Sequence, residues 1–389
     1  MNVGFSLLTL FPGRVGGSES YVRGLLRQYA AGNGPERVQL LANRHVEEAY
    51  EELATGPVEL RPVRSYRPGD SQLTRLAAML AAGVAPRRAA RDVPGDLDVV
   101  HYPVTVPIPA TRRPTVVTLF DVQHHDLPSL FSRAERTYRR RAYDGAARAA
   151  TVVVTTSEHS AQRMAELAGV PRERIEVVHM GIDLDRYTPE GDSDDELMAE
   201  HDVPAEYVVY PANLWPHKNH ERLLEALAAA KTPGLSLVLT GQTYGRLDAL
   251  LQRARRLGIE ERVHHLGFLP APAVPALYRR ARAMVFPSRY EGFGSPPLEA
   301  MACGCPVAAS RGGSLPEVCG DAALSFDADD TEAIAAAIER VTGDEAMRKR
   351  LRTAGMRQAQ RFDWARAARR HVEIYERAAA TSGPVGGLS

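Results

Sequence analysis

Short runs of apolar residues alternate with amphipathic segments along the whole chain. The runs contain few polar positions and many β-branched residues, which is typical of strands buried on both faces of a parallel sheet. A first series of such runs predicts strands at Val3–Leu8, Val38–Ala42, Val99–Tyr102, Val116–Leu119 and Val152–Thr155. Between them, apolar residues that recur with helical spacing predict helices at Ser18–Ala31, Ala134–Ala150 and Ser157–Ala168. Ser157 is the predicted N-cap of the last helix.

A second series follows the acidic, turn-rich stretch Glu190–Glu196. Its apolar runs predict strands at Tyr207–Tyr210, Leu235–Thr240, Val263–Leu266, Ala283–Phe286 and Pro306–Ala309. The predicted helices are His220–Ala230, Gly245–Leu257, Val274–Ala281, Pro296–Ala302, Thr331–Val341, Ala346–Gln360 and Trp364–Ala380. Because strand and helix alternate with the spacing of βαβ units, we expect an α/β fold with two doubly wound, Rossmann-like domains.

The two series set the expected domain boundaries. Residues 1–190 form the predicted N-terminal domain and residues 191–365 the second domain. Residues 366–380 form a helix expected to pack back toward the N-terminal domain, and the Gly-rich end, 381–389, is expected to be a disordered tail. Open α/β sheets bind ligands beyond the carboxyl ends of their strands. We therefore expect the two domains to face a central cleft, and candidate chemistry should lie in the loops after strands.

Composition narrows the function classes. The chain has 389 residues, of which 44% are hydrophobic and 25% charged, so a largely disordered protein is excluded. The 48 basic residues balance 48 acidic ones, which argues against a nucleic-acid partner. Three cysteines cannot build a disulfide framework, and Cys303 with Cys305 is too little for a zinc site. Without a recognisable signal peptide or an 18-residue apolar run, we expect a cytoplasmic protein.

The strongest chemical signal is the Gly-rich loop after the strand Ala283–Phe286. Ser295 is a predicted helix cap and Pro296 a predicted first helical residue, and Glu291 and Glu299 flank this helix start. Free backbone amides at a helix N-terminus attract phosphate, whereas carboxylates accept hydrogen bonds from sugar hydroxyls. The pattern predicts a cradle for a nucleotide sugar, with Glu291 for the transferred sugar and Glu299 for the ribose. The amides for the diphosphate are those of Gly292, Phe293, Gly294 and Ser295. The alternative is that both glutamates only interact with the helix dipole.

Lys218 provides a candidate cation at the next strand end. It follows the strand Tyr207–Tyr210 and precedes the predicted helix His220–Ala230. A flexible ammonium at this position suits a leaving diphosphate, because it places positive charge where negative charge develops. A solvated lysine at a helix start is the alternative.

The segment from Glu291 to Glu299 resembles the E-x7-E region of retaining glycosyltransferases of family four, which have the two-domain GT-B fold. The resemblance extends over most of the chain, through the segments Gly16–Glu19, Val178–Asp183, Tyr210–Asn219, Ala309–Val318 and Gly320–Ala323. It implies transfer of a hexose from a nucleoside-diphosphate sugar, with retention at the anomeric carbon and without a metal or other cofactor. The implied acceptor is a hydroxyl of a glycan, a lipid-linked or a small molecule. The overall pattern is most similar to mannosyl- and rhamnosyltransferases of polysaccharide biosynthesis, so GDP-mannose is the expected donor.

The resemblance also assigns donor-binding residues. In the family, the loop after the first strand, here with Gly16 and Gly17, lies at the donor phosphate and the acceptor. Another loop carries an Arg and a Lys that hold the phosphates; Lys218 matches the Lys, and Asn213 occupies roughly the place of the Arg. Backbone groups of a turn that contains Phe268 and Leu269 read the base.

The position near the transferred sugar departs from the family pattern. A His is common where this chain has Phe120, and the resemblance carries a catalytic role over to Asp121 and His124. Phe120 keeps open a catalytically silent GT-B subunit that binds a nucleotide; a nucleotide-sugar hydrolase or phosphorylase is the rival enzyme class. The basic predicted helix Arg133–Arg148 leaves open peripheral contact with the inner face of a membrane, with a solvated helix face as the alternative.

Overall fold

A computed structural model describes residues 1–12, 17–67, 74, 78, 91–270 and 272–381. The chain forms two compact units: Met1–Gly181 together with Asp363–Ser389, and Ile182–Phe362. Each unit contains one parallel sheet with helices, which confirms the predicted fold class of two doubly wound α/β units. The predicted disordered tail lies outside the described residues from position 382 onward.

The sheet of the N-terminal unit has seven strands among its described residues, in the order β3-β2-β1-β4-β5-β6-β7. Their bounds are β1 Asn2–Ser6, β2 Arg37–Ala42, β3 Val58–Pro62, β4 Val99–Tyr102, β5 Thr115–Thr118, β6 Val152–Thr155 and β7 Ile175–Val177. The five predicted strands are confirmed as the central ones. β3 and β7, which the sequence analysis did not predict, are the two edges.

Helices surround this sheet, and two of them continue into π-helical turns. The α-helices are α1 Gly17–Ala30, α2 Arg44–Tyr50, α3 Gln123–Asp126, α4 Arg133–Arg139, α5 Gly145–Ala149 and α6 Glu158–Arg163. The π-helical turns are Arg140–Asp144 and Met164–Ala168. The helix predicted as continuous over Ala134–Ala150 is therefore interrupted by a wider turn. Ser157 is confirmed as an N-cap, since its side chain accepts the Ser160 N–H.

A long C-terminal helix also belongs to the N-terminal unit. Trp364 at its start fills the space above Gly24 and Gly181, where a Cβ atom would overlap the indole ring or its backbone. Further along, His371 Nε2 lies 2.7 Å from the Tyr21 hydroxyl, within a buried network. Shape and polar contacts together fix this helix against α1.

The sheet of the second unit has six strands among its described residues, in the order β10-β9-β8-β11-β12-β13. Their bounds are β8 Tyr207–Pro211, β9 Ser236–Thr240, β10 Val263–His265, β11 Ala283–Phe286, β12 Val307–Ser310 and β13 Ala323–Phe326. Five of the six are confirmed predictions, and β13 at one edge was not predicted. The strand order reverses between β8 and β11, which is where such sheets bind ligands.

The acidic stretch that the sequence analysis placed at the domain boundary is structured and belongs to the second unit. Part of it forms a helix, Asp194–Glu200, and Asp194 forms an ion pair with Arg279 at 2.6 Å. The division between the units falls earlier, after Gly181. The helices of this unit and the C-terminal one are α7 Asp194–Glu200, α8 His220–Ala229, α9 Leu247–Arg256, α10 Ala273–Arg280, α11 Ser295–Ala302, α12 Leu315–Cys319, α13 Thr331–Gly343, α14 Glu345–Ala359 and α15 Trp364–Ala380.

Helix length and polarity also bear on membrane topology. Within the described ranges, none of the helices combines the length and the apolar character needed to span a bilayer.

Candidate functional site

Lys218 and Glu291 meet at the switch point of the second sheet. Lys218 ends a short 3-10 turn after β8, and Glu291 lies in the loop after the neighbouring strand β11. The Lys218 ammonium donates to Glu291 Oε1 at 2.6 Å, and the two side chains are 14% and 11% exposed. The Tyr210 hydroxyl donates to the Lys218 carbonyl at 2.7 Å and so fixes the turn. The structure thus brings together two of the predicted site residues, which are 73 positions apart in the chain.

The loop that carries Glu291 is clamped by the turn after β12. Ser314 donates through its backbone N–H and its hydroxyl to the Glu291 carbonyl, at 3.0 and 3.1 Å. The same hydroxyl lies 2.7 Å from the carbonyl of Phe293. Gly312 and Gly313 press against this loop so closely that a Cβ on either would overlap its backbone. The sequence analysis missed Ser314 and both glycines as site residues, although a Gly-Gly pair after a strand is a signal for close backbone approach.

The helix start beside Glu291 differs from the prediction. Ser295 is the first helical residue, and the N-cap is Gly294, whose φ of +100° lies in the left-handed region. The prediction of Ser295 as the cap was therefore wrong, because the turn requires a conformation that glycine adopts without strain. Pro296 and Pro297 carry no N–H, so the amides that this first turn can offer an anion come from Gly294 and Ser295. A helix N-terminus with such amides attracts a phosphate.

Glu299 supports neighbouring elements of the second unit. Its Oε2 accepts a hydrogen bond from the Tyr278 hydroxyl of α10 at 3.0 Å. Burial raises the pKa of the Glu299 carboxyl, against the lowering effect of that hydrogen bond and of the Arg186 charge. The contact with Tyr278 was not predicted. The role of Glu299 at the ribose stays a prediction.

The loops after β8, β9 and β10 carry the remaining candidates of this unit. Asn213 Oδ1 accepts the backbone N–H of Gln242 at 2.8 Å, so this amide side chain joins the first two loops. Phe268 is 86% exposed, whereas Leu269 is buried. Trp215 stacks on Tyr244 with ring centroids 5.6 Å apart, and both rings remain partly exposed. An exposed aromatic at the carboxyl edge of a sheet can stack a planar ring. Contact of Phe268 or Leu269 with a base stays a prediction.

Candidates near β1 and β5 lie in the N-terminal unit. Gly16 lies outside the described residues, and Gly17 is the first residue of α1. Asp121 Oδ1 accepts the N–H of Gln123, the first residue of the short helix α3, at 3.0 Å. Phe120 packs edge-on against Tyr21, with ring centroids 5.3 Å apart. The side chain at the position that commonly holds a family histidine thus packs against an aromatic ring of its own unit.

His124 is fully buried. Its Nε2 lies 3.1 Å from Asp144 Oδ1, and the Nε2 of the adjacent His125 lies 2.8 Å from Asp144 Oδ2. Burial alone would raise the pKa of Asp144, but the hydrogen bonds from both imidazoles outweigh it and hold that pKa below its usual value. An imidazole without exposed surface cannot touch a sugar in this conformation, so any effect of His124 on transfer would act through its neighbours. The sequence analysis did not identify Asp144.

Comparisons with known proteins agree with this architecture. Two sequence profiles match successive parts of the chain: "Glycosyltransferase Family 4" over residues 15–186 and "Glycosyl transferases group 1" over residues 194–358. The chain is 30% identical over 296 residues to the O-antigen chain mannosyltransferase B of Escherichia coli, which covers 75% of this chain and 77% of that protein. It is 33% identical over 234 residues to the D-inositol 3-phosphate glycosyltransferase of Mycolicibacterium smegmatis, which covers 58% of this chain and 52% of that one.

Among solved structures, Anabaena Alr3699/HepE in complex with UDP-glucose aligns with a TM-score of 0.74 at 22% identity, over 97% of this chain and all of the other. At that identity the likeness concerns the fold. Two doubly wound parallel sheets, together with this likeness, show that the chain has the GT-B fold. The chain belongs to the glycosyltransferases of family four.

Proposed function

We propose that this glycosyltransferase transfers a hexose, with mannose from GDP-mannose as the first candidate, to a hydroxyl of a glycan, lipid-linked or small-molecule acceptor. The Lys218–Glu291 pair at the strand-order reversal carries the proposal. In this proposal the Lys218 ammonium binds the diphosphate, and the neighbouring Glu291 carboxylate accepts a hydrogen bond from a sugar hydroxyl. The relative from Escherichia coli is a mannosyltransferase, which supports mannose as the sugar. The UDP-glucose bound to Alr3699/HepE supports a nucleotide sugar as the donor class.

The mechanism follows from where charge develops. As the bond between the anomeric carbon and the phosphate oxygen breaks, negative charge grows on the leaving diphosphate. Lys218 and the amides of Gly294 and Ser295 stabilise that charge more in the transition state than in the ground state, which is the requirement for catalysis. In this proposal protein groups supply the positive charge, so added Mg²⁺ or Mn²⁺ should leave turnover unchanged.

Retention at the anomeric carbon is proposed to follow a front-face route. Glu291 is engaged by Lys218 and is proposed to accept a hydrogen bond from a sugar hydroxyl, not to attack the sugar. The acceptor hydroxyl would then approach from the side that the phosphate leaves, and a departing phosphate oxygen would take its proton. NMR of the early product would show the donor's anomeric configuration, and an inverted product would contradict this route.

Replacing the cation tests the electrostatic role. Lys218→Ala should lower turnover by about 100-fold or more, the scale of one lost transition-state donor. Lys231→Ala is a matched control, because Lys231 is an exposed lysine of the same unit. Turnover of Lys218→Ala at the wild-type rate, in folded protein, would contradict the assignment.

Donor and reaction class need a separate measurement. A specific donor stabilises the folded state by mass action, so the melting temperature should rise with one of the GDP-, UDP- or dTDP-sugars. Rapid cleavage of that donor without an acceptor would favour the hydrolase. A nucleotide that binds without turnover in the presence of any acceptor would favour the silent subunit that Phe120 keeps open.

The acceptor side is proposed to lie at a membrane when the acceptor is lipid-linked. Arg133, Arg140 and Arg141 are exposed on one helical region of the N-terminal unit, and Arg139 covers the ring of Phe131 at 4.6 Å. Clustered arginines attract anionic headgroups. Sedimentation with phosphatidylglycerol vesicles but not with phosphatidylcholine vesicles would support a location at the inner membrane face, whereas equal recovery in both supernatants would favour a solvated helix face.

A further inference from the structure

Three metal-ligating side chains converge inside the N-terminal unit. His124 and His125 lie on the short helix α3 after β5, and Asp144 is the last residue of the π-helical turn Arg140–Asp144. The donor atoms are the Nε2 atoms of both imidazoles and the carboxylate oxygens of Asp144. One ligand atom from each residue lies within 4.8 Å of the other two.

The surroundings of this cluster, which we call the His-His-Asp cluster, favour a cation. The side chains of His124, His125 and Asp144 are 1%, 12% and 3% exposed. A carboxylate that has left water needs compensating charge or hydrogen bonds. Among the ion pairs of the described residues, Asp144 is paired with the two imidazoles and with no arginine or lysine. If both imidazoles are neutral, the carboxylate of Asp144 leaves one formal negative charge in the interior.

The spacing suits one coordination sphere. The two nitrogen–oxygen separations are 3.1 and 2.8 Å. In a tetrahedral zinc site with bonds of about 2.0–2.1 Å, ligand atoms lie about 3.3 Å apart. One ligand atom from each residue lies within 4.8 Å of the other two, so movements of about 1.5 Å or less bring the three atoms around a single ion. Imidazole and carboxylate are ligands that zinc accepts, and two His with one acid leave a fourth position for water.

We propose that His124 Nε2, His125 Nε2 and Asp144 bind a divalent ion of the zinc class. The 12% exposure of His125 supplies a side for entry and for the water ligand. The ion would tie α3, and the preceding loop with Phe120 and Asp121, to the region from Arg133 to Ala149. Its role is to position that loop, and it lies in a different unit from the Lys218–Glu291 pair. The competing occupant of the same atoms is a proton, shared between the imidazoles and the carboxylate.

Cobalt and zinc distinguish the two occupants. Full-length protein is stripped with a chelator, and Co²⁺ is then titrated while visible absorption is recorded. We expect the ligand-field bands of four-coordinate Co²⁺ to saturate at one ion per chain, and Zn²⁺ to displace it. No bands and no heat of zinc binding would mean that a proton holds the cluster together, and the proposal would be overturned. Thiolate charge-transfer bands would place the ion on cysteine and would overturn it as well.

Variants locate the ion. His125→Gln and Asp144→Asn should each weaken zinc affinity by about 100-fold or more, since even partners outside the first shell cost 10- to 100-fold. His264→Gln, a partly buried histidine of the second unit, is the control and should bind as the wild type does. If Asp144→Asn does not fold, His125→Gln still decides the question, because His125 is the partly exposed ligand. Wild-type affinity in folded His125→Gln would refute the site.

Discussion

Glu291→Gln should make the protein bind a nucleoside diphosphate more tightly while it transfers sugar more slowly. The wild-type carboxylate holds the Lys218 ammonium at 2.6 Å, with side chains 14% and 11% exposed. In our proposal the diphosphate takes the same ammonium, so binding must first open this pair. Glutamine keeps the shape of glutamate but removes its charge, so it holds Lys218 less tightly. The diphosphate then binds Lys218 at a smaller cost in free energy.

The size of the effect follows from the exposure of the pair. Hydrogen bonds to charged groups contribute about 1.5–3 kcal/mol, and exposed ion pairs only about 0.2–1 kcal/mol. For side chains roughly one tenth exposed, we take about 1–2 kcal/mol between these limits. That corresponds to a nucleoside diphosphate Kd lower by about 5- to 30-fold. Transfer should fall, because a neutral amide accepts a sugar hydroxyl more weakly than a carboxylate does.

Calorimetric titration with GDP and with UDP measures the affinity, and kcat/KM with the preferred donor measures transfer. Glu260→Gln is the matched control: Glu260 pairs with Arg255 at the same 2.6 Å in the same unit, but the pair is more exposed. It should change neither quantity by more than about 2-fold. An affinity in folded Glu291→Gln that equals or falls below that of the wild type would refute the idea that the pair competes with the diphosphate.

Three further expectations concern backbone fit and pH. Gly24→Ala should destabilise the N-terminal unit by about 1–3 kcal/mol in denaturant unfolding, because the added methyl group meets the ring of Trp364. Gly145→Ala has open space around the new methyl group and should stabilise its helix by up to about 1 kcal/mol. Stability changes of the same sign in the two variants would contradict the packing argument. Gly294→Ala forces a φ of +100° on alanine and should weaken donor binding at least as much as it lowers stability, which a donor thermal shift can separate. Burial lowers the pKa of His371 to about 4, so between pH 6.5 and 4 the unfolded chain binds a proton that the folded one does not. The free energy of unfolding should therefore decrease by about 1.4 kcal/mol for each unit that the pH is lowered within this range. His371→Phe should show a weaker dependence of the unfolding free energy on pH, measured by urea unfolding at several pH values.

The sequence predicted every central strand of the two sheets but only one of the four edge strands, β10. β1, β4 and β8 lie between neighbouring strands, so their runs are mostly apolar and can be recognised without knowledge of the fold. β3, β7 and β13 are edges, and they are short or include charged and polar residues such as Glu59, Glu176 and Ser325. An edge strand is paired along one side only, so selection for a continuous apolar run is weaker there.

The residues of the candidate site also differ in how well the sequence predicts them. Lys218 and Glu291 were predicted because each follows a recognisable strand, and strand ends share an edge of the sheet. Ser314 and Asp144 were not predicted, because each acts through a hydrogen bond to a loop that is distant in the sequence, and no local pattern encodes such a contact. The π-helical turn that positions Asp144 also has no periodic signature, since its residues fit an ordinary helix equally well.

The close fit between the turn after β12 and the loop after β11 has a practical consequence for protein engineering. Gly312, Gly313 and Ser314 leave no room for an independent shift of the loop with Glu291, so the two segments behave as one rigid part. If only 288–294 were exchanged for the segment of a relative with a different sugar preference, the new loop would no longer fit the unchanged turn at 312–314. A graft that carries 288–294 and 310–314 together preserves the match, and donor choice should be altered by swapping both at once.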